Sequence, residues 1–362
     1  MSKPRLISFY LPQFYPTKEN DEWWQKGFTE WTNVGNAKPL FRGHYQPRVP
    51  ADLGYYDLRV PEVREEQAQM AREAGIEGFC YWHYWFNGRR LLDRVFREVV
   101  ESGKPDFPFC LCWANHSWYQ KTWDPSKPDR LLIEQTYPGV QDYINHFNAM
   151  LPAFKDKRYI RVNGKLLFGF FSALDMKDEQ FLLFKETWSD LARKNGLEGF
   201  DFFGFTFESG KYDDILSRGY NHVVPDYTRE MLNSTSWMSN VVKRLYRSIS
   251  GRPNKVYNYQ QYIDFSLKHF DASKSSFPCI VPNFDHSPRS GNRGVIFHQA
   301  TPDKWENLCT KTFNVFSQKP HEENIIFIKA WNEWGEGNYL EPDLKYGRGY
   351  VDALRRAYDS CK

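Results

Sequence analysis

The chain has 362 residues, and its 48 Lys and Arg against 45 Asp and Glu give a formal net charge of +3, which argues against nucleic acid or an anionic membrane as a partner. No run of about 18 apolar residues occurs, so no integral membrane segment is predicted. The N-terminus Met1–Arg5 shows no signal-peptide pattern, and a cytoplasmic protein is therefore expected.

Short apolar and aromatic runs alternate along the chain with segments of helical period, the pattern of βαβ units around a parallel sheet. The predicted strands are Leu6–Leu11, Glu77–Tyr84, Phe107–Trp113, Lys165–Phe171, Asp201–Phe207, Asn221–Asp226, Cys279–Phe284 and Asn324–Ala330. The predicted helices are Pro61–Glu73, Leu92–Ser102, Gln141–Phe154, Asp178–Asn195, Ser239–Ser248, Tyr259–Phe270, Pro302–Phe316 and Gly349–Tyr358. Eight such units indicate an α/β fold, a single (β/α)₈ TIM barrel over residues 1–362. A doubly wound sheet is the alternative, although no Gly-x-Gly-x-x-Gly follows any strand.

Two connections are longer than a barrel needs: residues 12–60 after the first predicted strand, and residues 114–140 after the third. Both follow the carboxyl end of a strand, where barrel enzymes build their active sites, and long loops in compact domains are usually functional. Aromatic residues make up 18% of the chain. They indicate either an aromatic core or a carbohydrate site, since sugar rings stack on aromatic planes.

The strongest candidate for chemistry is the carboxylate pair Glu333 and Glu336, which leaves the eighth predicted strand between Trp331, Trp334 and two glycines. Glycosidic cleavage needs such a pair, one group to protonate the leaving oxygen and one to supply or assist a nucleophile. Neighbouring indole rings would partly desolvate one carboxylate and raise its pKa. A solvated Glu-rich loop is the alternative interpretation.

Other polar and aromatic residues stand at strand ends or in the long loops and are predicted to contact the substrate. They are Tyr10, Glu30, Trp31, His83, Tyr84, Trp113, Asn115, Asp285, Asn332 and Trp334. Trp31, Trp113 and Trp334 are expected among the cleft walls. Two of the residues have equally good structural interpretations, His83 as a core histidine and Glu30 as a capping or ion-pair residue.

The six cysteines form no Cys-x-x-Cys pair and no cluster with histidine, so no disulfide framework, metal site or cofactor is predicted. The expected partner is an oligosaccharide or polysaccharide substrate.

Several longer motifs resemble the WbsX family. They are Phe9-Tyr-Leu-Pro-Gln-Phe-Tyr-Pro16, Gly27-Phe-Thr-Glu-Trp-Thr-Asn33, His44-Tyr-Gln-Pro47, Pro50-Ala-Asp-Leu-Gly-Tyr-Tyr-Asp57, Gly78-Phe-Cys-Tyr-Trp-His-Tyr-Trp-Phe86 and Trp331-Asn-Glu-Trp-Gly-Glu-Gly337. Members of that family carry the label glycosyltransferase and are frequent in bacterial O-antigen, capsule and rhamnan loci. The segment Asn332-Glu-Trp-x-Glu-Gly-x-x-x-Glu-Pro342 is similar, more distantly, to glycoside hydrolase family 99, whose endo-α-mannosidases and endo-α-mannanases are (β/α)₈ barrels.

The hydrolase resemblance implies specific roles for the pair. Glu333 would deprotonate the sugar 2-hydroxyl, which attacks the anomeric carbon to give a 1,2-anhydro sugar with net retention, and Glu336 would be the general acid and base. Two positions depart from these patterns. Gly335 replaces a larger residue of the hydrolases and is expected to open the site, and His116 replaces an acidic residue of many WbsX-like sequences. Both predict a changed sugar preference.

Three functions follow from the sequence. The first is a retaining glycoside hydrolase acting on α-linked, mannose- or rhamnose-like residues of a bacterial or host polysaccharide. The second is a glycosyltransferase in cell-surface polysaccharide biosynthesis, although neither a phosphate-binding Gly-rich turn nor an Asp-x-Asp occurs. A non-catalytic sugar-binding barrel is the third, and it would not need both Glu333 and Glu336.

Overall fold

The computed structural model describes residues 2–121, 128–234, 253 and 255–361. Its main sheet contains eight parallel strands, β1 to β8 in chain order. They span Arg5–Tyr10, Gly78–Phe86, Phe109–Trp113, Lys165–Phe170, Phe200–Thr206, His222–Pro225, Cys279–Ile280 and Ile325–Ile328. The main-sheet residues are almost all buried, as expected for strands covered on both faces.

The strands lie side by side in chain order, and β1 pairs with β8, as closure of the predicted barrel requires. The register places Arg5 opposite Ile325 and Ser8 opposite Ile328. On the far side, the amide of Phe277, just before β7, donates to the carbonyl of Val223 in β6 at 3.0 Å. These contacts bring the sheet close to closure, so the fold is a (β/α)₈ barrel.

Helices follow the strands and cover the outside of the barrel. The barrel helices α1 to α8 span Pro61–Glu73, Arg94–Ser102, Val140–Phe154, Asp178–Lys194, Tyr212–Ser217, Tyr259–His269, Pro302–Phe316 and Gly349–Asp359. Shorter helices in the loops span Lys18–Trp23, Glu30–Asn36, Thr228–Asn233 and Ser287–Ser290. Among the helices of the described residues, none combines the length and the apolar character needed to cross a membrane.

The eight predicted strands and seven of the eight predicted helices are present in the predicted order, with differences at their ends. The short helix α5, Tyr212–Ser217, was not predicted. The predicted strand Cys279–Phe284 is cut to two residues, because the chain turns out of the sheet beside Pro282, which has no amide hydrogen for a ladder. The predicted helix Ser239–Ser248 lies outside the described residues. The long loop 12–60 contains two short helices that the sequence analysis did not predict.

Both predicted long connections are present, after β1 and after β3. The second carries a small antiparallel hairpin, Trp118–Gln120 with Arg130–Ile133. That a single domain accounts for residues 1–362 stays a prediction, although the buried apolar residues of the described part form one cluster.

Aromatic rings fill the interior of the barrel. Phe9 of β1 stacks on Trp82 of β2 with ring centroids 4.5 Å apart and on Phe327 of β8 at 5.1 Å. Phe203 of β5 packs on the same Phe327 at 4.9 Å. Many of the aromatic residues therefore belong to the core. One of these rings, Phe203, requires a glycine at position 169 beside it. A Cβ atom at Gly169 would lie 2.1 Å from the Cζ atom of Phe203.

We therefore predict that Gly169→Ala destabilises the barrel. The added methyl group forces the buried Phe203 ring from its place, and overpacking of this kind costs about 1–3 kcal/mol. The measurement is the free energy of unfolding in urea. Gly210→Ala is the matched control, because a Cβ atom there meets nothing within 4 Å. Equal stability of the two variants would contradict this account of the core.

Candidate active site

The carboxylate pair lies on a small hairpin at the carboxyl end of β8. Residues Asn332–Glu333 pair antiparallel with Asn338–Tyr339, and the tight turn Trp334–Glu336 joins them. Gly337 completes the turn with φ of +55°, and a Cβ atom there would lie 2.8 Å from Cβ of Asp285. A glycine is needed at this point for both backbone conformation and space. The hairpin brings Glu333 and Glu336 to the same cleft.

Glu333 is the more buried member of the pair. Its Oε1 accepts a hydrogen bond of 3.1 Å from the indole Nε1 of Trp82, and its Oε2 lies 3.4 Å from Nη2 of Arg289. Burial raises the pKa of Glu333 to about 7, and the negative charges of Glu336 and Glu30 act in the same direction. Arg289 and Lys329 oppose the rise without cancelling it.

Glu336 has the opposite shift. Burial raises its pKa, but the positive charges of Arg289, Lys329 and His286 outweigh burial, and the pKa of Glu336 falls below its usual value. The nearest of them is Arg289, whose Nη1 lies 2.5 Å from Oε1 of Glu336. Two neighbouring carboxyl groups with separated pKa values are the arrangement that acid–base catalysis needs.

Arg289 contacts three carboxylates at once. Besides Glu333 and Glu336, it holds Glu30, whose Oε2 lies 2.9 Å from Nη2 and accepts a 3.2 Å hydrogen bond from Nε. The sequence analysis interpreted Glu30 as either a substrate contact or a capping or ion-pair residue. In the structure Glu30 forms an ion pair with Arg289. A Cβ atom at Gly335 would lie 1.9 Å from that same Oε2. The expectation that Gly335 opens the site is therefore wrong, because the carboxylate of Glu30 fills the space.

The pair opens into a cleft with a cavity volume of about 690 Å³ at the carboxyl end of the barrel. Of the predicted site residues, Glu30, Tyr84, Glu333 and Glu336 line it. His116, the residue that departs from many WbsX-like sequences, lines it too. Its aromatic walls come from the strands and from both long loops, and they are Trp24, Phe28, Trp82, Tyr84, Trp118, Tyr119 and Phe171.

Each Lys or Arg that lines this cleft in the described ranges is paired with a carboxylate. Arg289 is held by the three Glu side chains. The Nζ atom of Lys329, at the end of β8, lies 3.0 Å from Oδ2 of Asp226, and that of Lys121 lies 2.5 Å from Oδ2 of Asp129. A highly charged phosphate ligand would therefore have to displace an internal partner.

Three predicted substrate contacts lie on the outer face of the barrel instead. Tyr10 donates to Oε1 of Gln67 on α1 at 2.7 Å, and the indole Nε1 of Trp113 donates to the carbonyl of Trp85. The Nε2 atom of His83 lies 2.7 Å from Nε2 of His146 on α3. Of the two interpretations of His83, the structure therefore supports the core histidine. The reason is strand alternation: Trp82 and Tyr84 face the cleft, and His83 between them faces the helices.

Two predicted contacts, both asparagines, connect chain segments. Asn332 forms a two-way link with Leu11, accepting from its amide at 2.7 Å and donating to its carbonyl at 3.0 Å. Asn115 donates to the carbonyl of Ser172 and accepts from its amide. Neither side chain is among the residues that line the cleft.

The remaining three predicted contacts support the hairpin from behind and do not line the cleft. Trp334 is fully buried, stacks on Tyr339 at 3.7 Å and donates to Glu341 at 2.6 Å, while the indole of Trp31 packs against it. The amide of Asp285 donates to the carbonyl of Glu336 at 2.6 Å. Trp24, Trp82 and Trp118 therefore stand in the walls where Trp31, Trp113 and Trp334 were expected.

Arg289, Lys329 and Trp82 were not among the predicted substrate contacts. Arg289 follows β7 and Lys329 follows β8, so their position at strand ends was the available signal. Trp82 shares the cleft face of β2 with Tyr84, but the almost wholly apolar sequence of β2 does not show which face that is. Within the described ranges, no group of three or more His, Cys, Asp or Glu side chains is placed to hold a metal ion.

Comparison with known proteins identifies the family. The model of the family described as Glycosyltransferase WbsX matches residues 6–354. The chain belongs to this family. Two relatives, both called uncharacterized protein WxcX and from two strains of Xanthomonas campestris pv. campestris, are 35% identical over 369 residues. The alignments cover 97% of this chain and 49% of each relative, so the chain spans about half the length of these relatives.

Solved structures share the fold at low sequence identity. A protein described as glycoside hydrolase-like has a TM-score of 0.62 at 13% identity, covering 99% of this chain and 94% of its own. The GH99 endo-alpha-mannosidase from Bacteroides thetaiotaomicron has a TM-score of 0.59 at 14% identity, covering 99% and 97%. The WbsX-family chain therefore shares its (β/α)₈ barrel fold with these two proteins.

The separated pKa values predict opposite effects of two substitutions on stability. Because folding raises the pKa of Glu333 from 4.5 to about 7, its ionisation destabilises the folded state progressively as the pH rises through that window. Glu333→Gln should therefore gain stability relative to the parent between pH 5 and pH 8, by up to about 3 kcal/mol. Glu336→Gln should show no such gain, since the pKa of Glu336 is lowered and its stabilising charge is present above pH 4.5.

The measurement is the free energy of unfolding in urea at pH 5 and pH 8 for the parent and both variants. A stability difference between Glu333→Gln and the parent that does not change with pH would contradict the raised pKa of Glu333.

Proposed function

We propose that this WbsX-family chain is a retaining glycoside hydrolase that cleaves α-linked, mannose- or rhamnose-like residues of a bacterial or host polysaccharide. The observation that carries the proposal is the buried pair Glu333 and Glu336, with separated pKa values, at the floor of an aromatic cleft. Between the two pKa values, below about pH 7, such a pair holds about one proton, which is the number that one acid and one base require.

The proposed reaction has two steps. Glu333 removes the proton of the sugar 2-hydroxyl, O2 forms a bond to the anomeric carbon, and the bond to the leaving oxygen breaks as Glu336 protonates that oxygen. In the second step Glu336 removes a proton from water, which attacks the anomeric carbon. The bond from that carbon to O2 breaks and Glu333 returns the proton to O2, so the configuration is retained. Both steps use only the pair, the sugar and one water molecule.

The cleft favours an uncharged sugar over a sugar nucleotide. Three carboxylates face its floor, and each described Lys or Arg of its lining already has a carboxylate partner. A diphosphate would meet repulsion from Glu30, Glu333 and Glu336, and among the described lining residues no unpaired Lys or Arg would offset it. The aromatic walls suit the apolar faces of sugar rings.

A glycosyltransferase is the second candidate, and the family description favours it. Its substrates would be a nucleotide sugar and a saccharide acceptor of a cell-surface polysaccharide, and a location in the cytoplasm stays a prediction for either function. The deciding experiment incubates the protein with α-linked glycan panels and, separately, with nucleotide sugars plus acceptors. Release of reducing ends supports the hydrolase, whereas sugar transfer only from nucleotide donors would reject it.

Substitution of each glutamate tests the assigned roles. Glu336→Gln should lose most activity on natural glycans and recover it on aryl glycosides with good leaving groups, because these need no protonation. Glu333→Gln should be inactive on every substrate, because no leaving group replaces the missing base. The measurement is kcat/KM over a series of leaving groups. Full activity of Glu333→Gln would end the assignment.

A further inference from the structure

The free site presents a proton in the wrong place for the proposed reaction. Glu336 must be protonated when the leaving oxygen departs, yet Arg289 lies 2.5 Å from its Oε1 and favours its ionised form. The same guanidinium is 3.4 Å from Glu333, where it acts more weakly. The position of Arg289 therefore determines which glutamate holds the proton, and a shift of Arg289 away from Glu336 would move that proton toward Glu336.

Glu30 is the residue that holds Arg289. Two guanidinium nitrogens of Arg289, Nε and Nη2, contact the same Oε2 atom of Glu30. The third nitrogen, Nη1, contacts Glu336. Glu30 itself is 2% exposed, at the start of the helix Glu30–Asn36 in the loop after β1. A buried carboxylate needs a charged partner, and Arg289 is the cation that the described structure places on it.

The space for this contact exists because residue 335 is glycine. A Cβ atom there would lie 1.9 Å from Oε2 of Glu30 and 3.0 Å from Nε of Arg289. No real side chain tolerates the first distance, so any residue other than glycine would displace Glu30. The backbone of Gly335 is outside the left-handed region, and its role is to leave room.

We propose that Arg289 is a positioning residue that governs how Glu333 and Glu336 share one proton, and that Glu30 holds it there in the space left by Gly335. This inference rests on the proposed function for its catalytic meaning. The remaining charged groups around the pair act as a fixed background. Lys329, bound to Asp226, and His286, whose Nε2 is 3.9 Å from Oε1 of Glu336, both favour ionised Glu336. Tyr84 lines the same cleft.

The first test measures the pKa of each glutamate without any substrate. Carboxyl-labelled glutamate is titrated by ¹³C NMR, and the two signals are assigned by their loss in Glu333→Gln and Glu336→Gln. Arg289→Met removes a positive charge and should raise both pKa values, that of Glu336 more, by about one unit or more. Glu30→Gln removes a negative charge and should lower the pKa of Glu333. This shift is opposite in direction to the one expected for Arg289→Met.

The matched controls are Arg5→Met and Glu77→Gln, an ion pair at the other end of β1 and β2. They should leave both titrations unchanged. If Arg289→Met does not fold, Arg289→Lys keeps the charge without the two-nitrogen contact on Glu30 and should shift the titration of Glu336 upward by less. Unchanged values, or shifts in the same direction for Arg289→Met and Glu30→Gln, would overturn the proposal.

The second test examines the space at position 335. Gly335→Ala should lower the melting temperature in the parent, because its methyl group displaces Glu30. In a Glu30→Ala background the same methyl group enters the vacated space, so the further loss should be small. Equal losses in the two backgrounds would overturn the role assigned to Gly335.

These outcomes are distinguishable from failure of the proposed function. Opposite NMR shifts and a non-additive pair of substitutions, with no hydrolysis of any glycan, would leave the proton-sharing role of Arg289 intact and reject the hydrolase. Hydrolysis of a glycan with unchanged titrations of Glu333 and Glu336 would support the hydrolase and reject the proton-sharing role of Arg289.

Discussion

The site depends on one electrostatic arrangement, the burial of three carboxylates around a single guanidinium. Glu30, Glu333 and Glu336 would repel one another if all were ionised out of water, and Arg289 offsets only part of that repulsion. A proton relieves the remaining repulsion, and burial of Glu333, together with its greater distance from Arg289, favours Glu333 as the site of that proton. An acid and a base thus follow from the same charge balance that allows these groups to be buried together.

That balance requires exact positions, and the layer behind the cleft supplies them. Glu341 accepts hydrogen bonds from Trp334 at 2.6 Å, Gln67 at 2.6 Å and Tyr56 at 2.9 Å, which fix the base of the hairpin. Burial raises the pKa of Glu341 to about 7 despite these donors. Asp285 holds the carbonyl of Glu336 from the side. The tryptophans and polar groups of this layer therefore support the hairpin and do not line the cleft.

A feature of this structure could be predicted from the sequence when it depends on residues that are close together in the chain or on the topology of the barrel. Strand order, the pairing of β1 with β8 and the Glu333–Glu336 pair were predictable, since each rests on a local pattern or on barrel topology. The contact between Arg289 and Glu30 joins residues 259 positions apart, and no local pattern reports it. The choice left open for His83 had another cause. An all-apolar strand hides which alternate residues face inward, so the phase of β2 could not be read from its sequence.

The family description and the fold favour different reactions, and charge is the property that separates them. A transferase must hold a diphosphate, which calls for cations that are free to meet it. In the described cleft, Arg289, Lys329 and Lys121 are each committed to a carboxylate, and the unengaged surface is largely aromatic. Such a surface binds sugar rings through their apolar faces and offers a phosphate group little. The charges and the aromatic surface of the cleft therefore fit the proposed hydrolase better than the transferase that the family description names.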